Sequence, residues 1–174
     1  MAQTTTSSQD PDEKYTQGLL APGTEAPDFT LLPPTKGKAA QRLSDYRQHT
    51  KKGKAKGGQY VVLDFWATWC PDCRREIPTV KDINKKYGDK VKLIGVSFDT
   101  DRETLKTFNE KNGISWTMYS EYKKWKETEI SRQYNIKWLP TMYLISPEGK
   151  VVYTTVIADR MLKKLDELSA AGKI

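Results

Sequence analysis

Cys70 and Cys73 are the chain's two cysteines, and they are separated only by Pro71 and Asp72. A thiol pair at C-x-x-C spacing can bridge, and its leading sulfur can attack a disulfide that the second sulfur then resolves. The run before them, Val61-Val62-Leu63-Asp64-Phe65-Trp66, reads as a strand buried on both faces. Ala67-Thr68-Trp69 turns the chain, and helical spacing begins at the cysteines, which puts Cys70 at or just before a helix N-terminus. Unpaired N–H groups and the positive end of the helix dipole favour a thiolate there. In this arrangement the leading sulfur alone is expected to face solvent. A scaffold disulfide closing so short a loop would add little stability. A zinc site would need two more ligands, and the one histidine, His49, lies in a lysine-rich stretch. Catalysis is the better use of the pair.

Asp72 disfavours a thiolate on Cys70, while Arg74 and Arg75 oppose it. The balance between them stays open at this level. The expectation is a reductant, because nothing in the Pro71-Asp72 dipeptide stabilises the thiolate and no histidine stands between the cysteines.

The elements that must hold this pair follow from periodicity. At 174 residues the chain fits one domain with room for a core. No apolar run is long enough to span a bilayer. Residues 1–18 read as a disordered leader or linker and 19–174 as the folded domain. The net charge of +7 is not spread evenly: between Lys36 and Gly58 eight cations face Asp45 alone, which accounts for all of it. Within the stretch 47–58, Lys51 to Gly58 has no aromatic residue on which bases could stack. It reads as a solvated insertion loop and not as a nucleic-acid site, although an acidic partner or membrane surface could use it. A short edge strand is expected around Phe29 to Leu32, and a helix from the cysteines through Tyr87, kinked at Pro78 and stopped by a left-handed Gly88. A buried strand follows within Lys90–Asp99, with Asp99 to Asp101 as an N-cap region for a helix ending at Gly113. Beyond these come a short strand near Thr117, a helix over 125–134, a hairpin around Pro147 to Lys150 and a closing helix over 159–170.

WATWCPDC at 66–73, Asp64 six residues before the first cysteine, and Trp138-Leu139-Pro140-Thr141 together resemble the thioredoxin superfamily. Gly23-x-x-Ala26-Pro27-Asp28-Phe29, Leu43-Ser44-Asp45 and Glu76 are similar to its TlpA/ResA-like branch, which shares the AhpC/TSA-type thioredoxin-like domain. The resemblance implies a three-layer α/β/α thioredoxin-like fold with an N-terminal β extension and a central helix–strand insertion. It implies that Asp64 is a buried acid with a raised pKa, able to take the Cys73 proton through a water, and that Glu76 assists. Which of the two shuttles the proton stays open. Pro140 matches the superfamily's cis-proline, so Leu139 and Pro140, with Trp69, Pro71 and Asp72, are the expected substrate contacts. Trp66 reads as core packing, and Trp138 as either groove lining or core.

The resulting expectation is a thiol–disulfide oxidoreductase that reduces protein disulfides as a monomer, with no metal or organic cofactor. The resemblance places it in a bacterial periplasm or on an outer cell face, with a cytoplasmic site as the alternative. Exported thiols such as apocytochrome c cysteines are its implied clients, and a membrane thiol reductase or thioredoxin its implied electron source. A peroxiredoxin-like peroxidase is the first alternative, but that chemistry wants threonine three residues before its cysteine, where this chain has Ala67. A copper-binding module would need a better-placed histidine, and a peptide-binding module would not need both cysteines.

Overall fold

The computed structural model describes residues 9–174. In chain order the elements are α1 (Pro11–Tyr15), β1 (Thr30–Leu32), β2 (Gln41–Arg42), β3 (His49–Lys51), β4 (Lys54–Lys56), β5 (Val61–Trp66) and α2 (Pro71–Tyr87). They continue with β6 (Lys92–Ser97), α3 (Arg102–Asn112), β7 (Thr117–Tyr119), α4 (Glu129–Gln133), β8 (Thr141–Ile145), β9 (Val151–Thr155) and α5 (Ala158–Ala170).

Five strands form one sheet in the order β7-β6-β5-β8-β9. β5 runs parallel to β6 and antiparallel to β8, and all six of its residues are buried. That is why its sequence is a continuous apolar run rather than an alternating one. Val80, Ile83 and Tyr87 of α2 pack with Met161 and Leu165 of α5 against Val62, Leu93 and Leu144. Leu105 of α3, Ile130 of α4 and the β1 region close around Leu63, Phe65 and Val96. The three-layer fold expected from the sequence is the one observed.

Several local expectations change. Residues 1–8 of the expected leader lie outside the described residues, but 9–18 are not a loose tail. Arg160 donates to both Asp10 and Asp12, and the Asp12 carboxylate also accepts from Val156 N and Thr155 Oγ1. The expected 47–58 loop is an exposed antiparallel hairpin, β3–β4, closed by Lys52-Gly53 with both residues at positive φ (52° and 75°), the primed-turn geometry that fits strand twist. Gly88 ends α2 in the right-handed region, not the left-handed one, with its N–H still donating to the Asn84 carbonyl at 2.8 Å as a further turn of helix would. Gly113 does take the left-handed cap after α3. The expected helix over 125–134 is broken. The Thr128 and Ser131 hydroxyls both donate to the Trp125 carbonyl, and Thr128 caps a new helix, α4. Pro78 lies within α2, one turn past Arg74.

Candidate active site

The site forms where β5 ends beside the start of β8. After Trp66 the chain turns through Ala67, Thr68 and Trp69, and Cys70 becomes the N-cap of α2 in extended backbone geometry. Its Sγ accepts the Cys73 N–H at 3.2 Å, which satisfies one of the helix's free donors. Cys70 and Cys73 are bridged, with Cα atoms 5.2 Å apart. The turn is held by Asp99, just past β6. Its buried carboxylate accepts from Thr68 N, Thr68 Oγ1 and Ser97 Oγ. Asp99 is therefore not the cap of α3, a role that Asp101 fills through Thr104 N.

Both cysteines are buried in the bridged form, Cys70 at 5% and Cys73 at 4% exposure. The expected contrast in exposure is absent, because the turn and the Leu139-Pro140 loop cover both sulfurs. The contrast lies instead in what each sulfur faces. Cys70 lines an open groove of about 900 Å³ with Trp69, Pro71, Asp72, Trp138 and Leu139. Cys73 lines a small inner cavity of about 10 Å³ with Asp64, Trp66, Glu76, Trp116 and Pro140. The second space is close to the minimum for one water.

Asp64 sits in the middle of β5, and its carboxyl is held up at about 7, first by burial and then by the charge of Glu76. Its Oδ1 has no hydrogen-bond partner among the described residues, nor do the indole N–H groups of Trp66 and Trp116, and all three residues line the inner cavity. One acceptor and two donors around a water-sized space are a set that a single water can satisfy. Trp66 is thus both core and cavity wall. Glu76 is half-buried and caps α5 by accepting the Ala158 N–H. Burial raises its pKa, the Ala158 bond opposes that rise, and Asp159 and Asp12 add to it. Glu76 also lines an outer groove with Tyr15, Asp72 and Trp138, so it spans from the inner cavity to the surface.

Leu139-Pro140 is a cis peptide, and the Leu139 carbonyl stands 3.8 Å from Cys70 Sγ. Trp69 is 54% exposed at the groove mouth. Asp72 pairs with Arg75, so Arg75 is the cation that meets it. Trp138 resolves as groove wall, its ring stacked on Tyr15 at 3.8 Å between centroids. Sequence reasoning missed Tyr15, Trp116 and Asp99, each of which reaches the site from a distant element. Among the described residues no group of three or more His, Cys, Asp or Glu side chains is placed to hold a metal ion.

Residues 22–154 match the AhpC/TSA family. The chain is 33% identical over 135 residues to the thiol-disulfide oxidoreductase ResA of Geobacillus kaustophilus, covering 76% of this chain and 67% of that protein. It is 28% identical over 150 residues to the thioredoxin-like protein YneN of Bacillus subtilis, covering 83% of this chain and 78% of that one. Among solved structures it is similar to the thioredoxin domain of a thiol-disulfide oxidoreductase from Bacteroides vulgatus, at TM-score 0.68 and 27% identity over 86% of this chain and 98% of that one.

Proposed function

We propose that this chain, which belongs to the AhpC/TSA family and is a thiol–disulfide oxidoreductase, works as a reductant of protein disulfides. The observation that carries the reading is the division of labour at the bridge: Cys70 faces an open groove and Cys73 faces an acid-lined cavity.

In the reduced protein the Cys70 thiolate attacks one sulfur of a client disulfide. A Cys70–client bond forms, and the other client sulfur leaves as a thiolate that takes a proton from water. Cys73 then gives its proton to the Asp64 carboxylate, through a water of the inner cavity, and attacks Cys70 Sγ. The Cys70–client bond breaks, the client sulfur that was attacked leaves as a thiolate that takes a proton from water, and the Cys70–Cys73 bridge remains. Two electrons have moved from the dithiol to the client, and the balance needs only the two cysteines. Glu76 carries the Asp64 proton outward to solvent.

The direction rests on what surrounds Cys70. A strongly oxidising pair is one whose reduced form is stabilised. Here the Sγ accepts one backbone N–H, and a carboxylate, Asp72, stands two residues away. Nothing in the Pro71-Asp72 dipeptide stabilises the thiolate and no histidine stands between the cysteines, which supports donation of electrons as the direction. On the resemblance to the TlpA/ResA-like branch, the protein acts as a monomer outside the cytoplasm, in a bacterial periplasm or on an outer cell face. Its electrons then come from a membrane thiol reductase or a partner thioredoxin. No helix among the described residues is long and apolar enough to cross a membrane.

Equilibration against dithiothreitol and glutathione buffers, with thiol-alkylation gel shifts, gives the potential of the pair. A value of roughly −270 mV or below is expected for a reductant, and one near roughly −120 mV reverses the direction. A pair that forms no bridge at any poise removes the oxidoreductase reading.

A further inference from the structure

We infer that the groove beside Cys70 selects acidic clients: extended segments that carry carboxylates next to their cystine. The inference rests on the oxidoreductase reading and names the chemistry of its substrate.

Three tryptophans, Trp69, Trp125 and Trp138, give the groove its apolar walls. Two are fixed in place. Trp125 donates its indole N–H to the Ile136 carbonyl at 3.2 Å and stacks on Phe98, and Trp138 stacks on Tyr15. Around these walls stand Lys126, Arg132 and Lys137, all exposed. None of the three forms an ion pair among the described residues. The lining contains one carboxylate, Asp72, and Arg75 already holds it. Neighbouring acids turn elsewhere. Glu121 accepts the N–H groups of Glu129 and Ile130, and Glu129 lines a separate depression with Asp28 and Arg42. Glu127 is exposed on the adjoining turn but lines no part of the groove.

Three uncompensated cations over low-dielectric walls focus a positive potential where the client's sulfur must arrive. An acidic segment is drawn in and can satisfy all three, while a basic one meets repulsion that no groove carboxylate relieves. The preference is local. The lysine hairpin sits at the other end of the sheet, where Gln48 N–H meets the Pro147 carbonyl beyond the far end of β8. Five residues of strand, roughly 17 Å, separate that end from Pro140. A short client at Cys70 does not reach it.

The test uses three substrates for the reduced full chain in single turnover. Two are peptides of equal length with the same cystine, one flanked by Asp and Glu and the other by Lys and Arg, and the third is neutral hydroxyethyl disulfide. The acidic peptide is expected to react about tenfold faster than the basic one at low ionic strength, three exposed pairs being enough for that ratio. The ratio should fall toward unity as salt rises. The variant Lys126→Glu/Arg132→Glu/Lys137→Glu should invert it. A ratio near one in the parent, or a ratio indifferent to salt, overturns the inference, and those two readings decide it even where the triple variant does not fold. Reduced parent that leaves hydroxyethyl disulfide untouched overturns the oxidoreductase reading itself, a separate failure.

Discussion

Asp64 and Glu76 face one cavity from two elements, β5 and α2, and the charge of the second helps keep the first protonated. Neither acid is placed there by its own helix or strand alone. Parallel pairing of β5 with β6 buries Asp64, and the cap on α5 holds Glu76 inward. The pair therefore has measurable consequences for stability as well as for chemistry.

The carboxyl of Asp64, raised from the ordinary 3.8 to about 7, binds its proton more tightly in the folded chain than in the unfolded one. The stability it contributes is complete below about pH 4 and is lost as pH climbs through about 7. Asp64→Asn carries no charge at any pH. It is expected to flatten that decline and to exceed the parent at pH 8 by up to roughly 4 kcal/mol, the energy equivalent of the shift. Tm measured from pH 5 to 9 checks this; an Asn variant with the parent's slope would place the Asp64 pKa at its usual value.

The same variant should stall resolution. With no carboxylate to take the Cys73 proton, release of the client at pH 7 is expected to slow by about 10²-fold. Rapid acid quench and mass spectrometry should find the mixed disulfide on Cys70 accumulating. In the parent, resolution should rise with pH through about 7, the range in which Asp64 ionises.

Glu76→Gln separates the two jobs of that side chain. The amide oxygen can still accept the Ala158 N–H, so Tm should move little, whereas Glu76→Ala loses the cap at a cost of about 1 kcal/mol. Removing the charge takes away the second cause of the high Asp64 pKa. The midpoint of the pH–rate profile for resolution should then move to lower pH in both variants. A profile that stays in place would show that Glu76 does not act on Asp64.

The parts of the molecule legible in the sequence are those encoded over a few neighbouring residues. The apolar run of β5, the C-x-x-C at a strand-to-helix turn and Pro140 ahead of β8 are short patterns tied to local geometry. What the sequence hid depends on polar contacts between distant segments. The Asp99 carboxylate meets a turn that begins 31 residues earlier, and Asp12 meets Thr155 across 143 residues. Periodicity carries no record of such pairs. The Thr-, Ser- and Gln-rich start of the chain has the composition of a free tail, yet two aspartates and one arginine tie part of it down. The cations of the Cys70 groove come from a turn, a five-residue helix and a loop, so only the fold gathers them.

Arg160 is the anchor of the N-terminal strap, and Tyr15 is the point where the strap meets the site. Arg160→Ala should free the Asp10 carboxylate and leave Asp12 held by Thr155 and Val156 alone, while the sheet stays intact. Limited proteolysis is expected to cut between residues 9 and 20 on the order of tenfold faster in the variant, because that cleavage follows the population of the open strap. Equal cleavage rates would mean that the Asp12 bonds to Thr155 and Val156 and the Tyr15–Trp138 stack hold the strap without Arg160.

Asp99 offers the sharpest separation of geometry from chemistry, since it touches neither sulfur. Its buried carboxylate accepts from Thr68 N, Thr68 Oγ1 and Ser97 Oγ, and so shapes the turn that delivers Cys70 to the start of α2. Asp99→Ala leaves those donors buried without an acceptor and should cost about 3 kcal/mol. Asp99→Asn keeps one acceptor oxygen and should cost less. A purely structural role would change Tm and leave the redox potential alone. A role in positioning Cys70 predicts that the potential moves as well, since the turn fixes how the Cys73 N–H meets the sulfur. Alkylation gel shifts on the Asn variant, at a temperature where it is fully folded, measure that difference; an unchanged potential would confine Asp99 to stability.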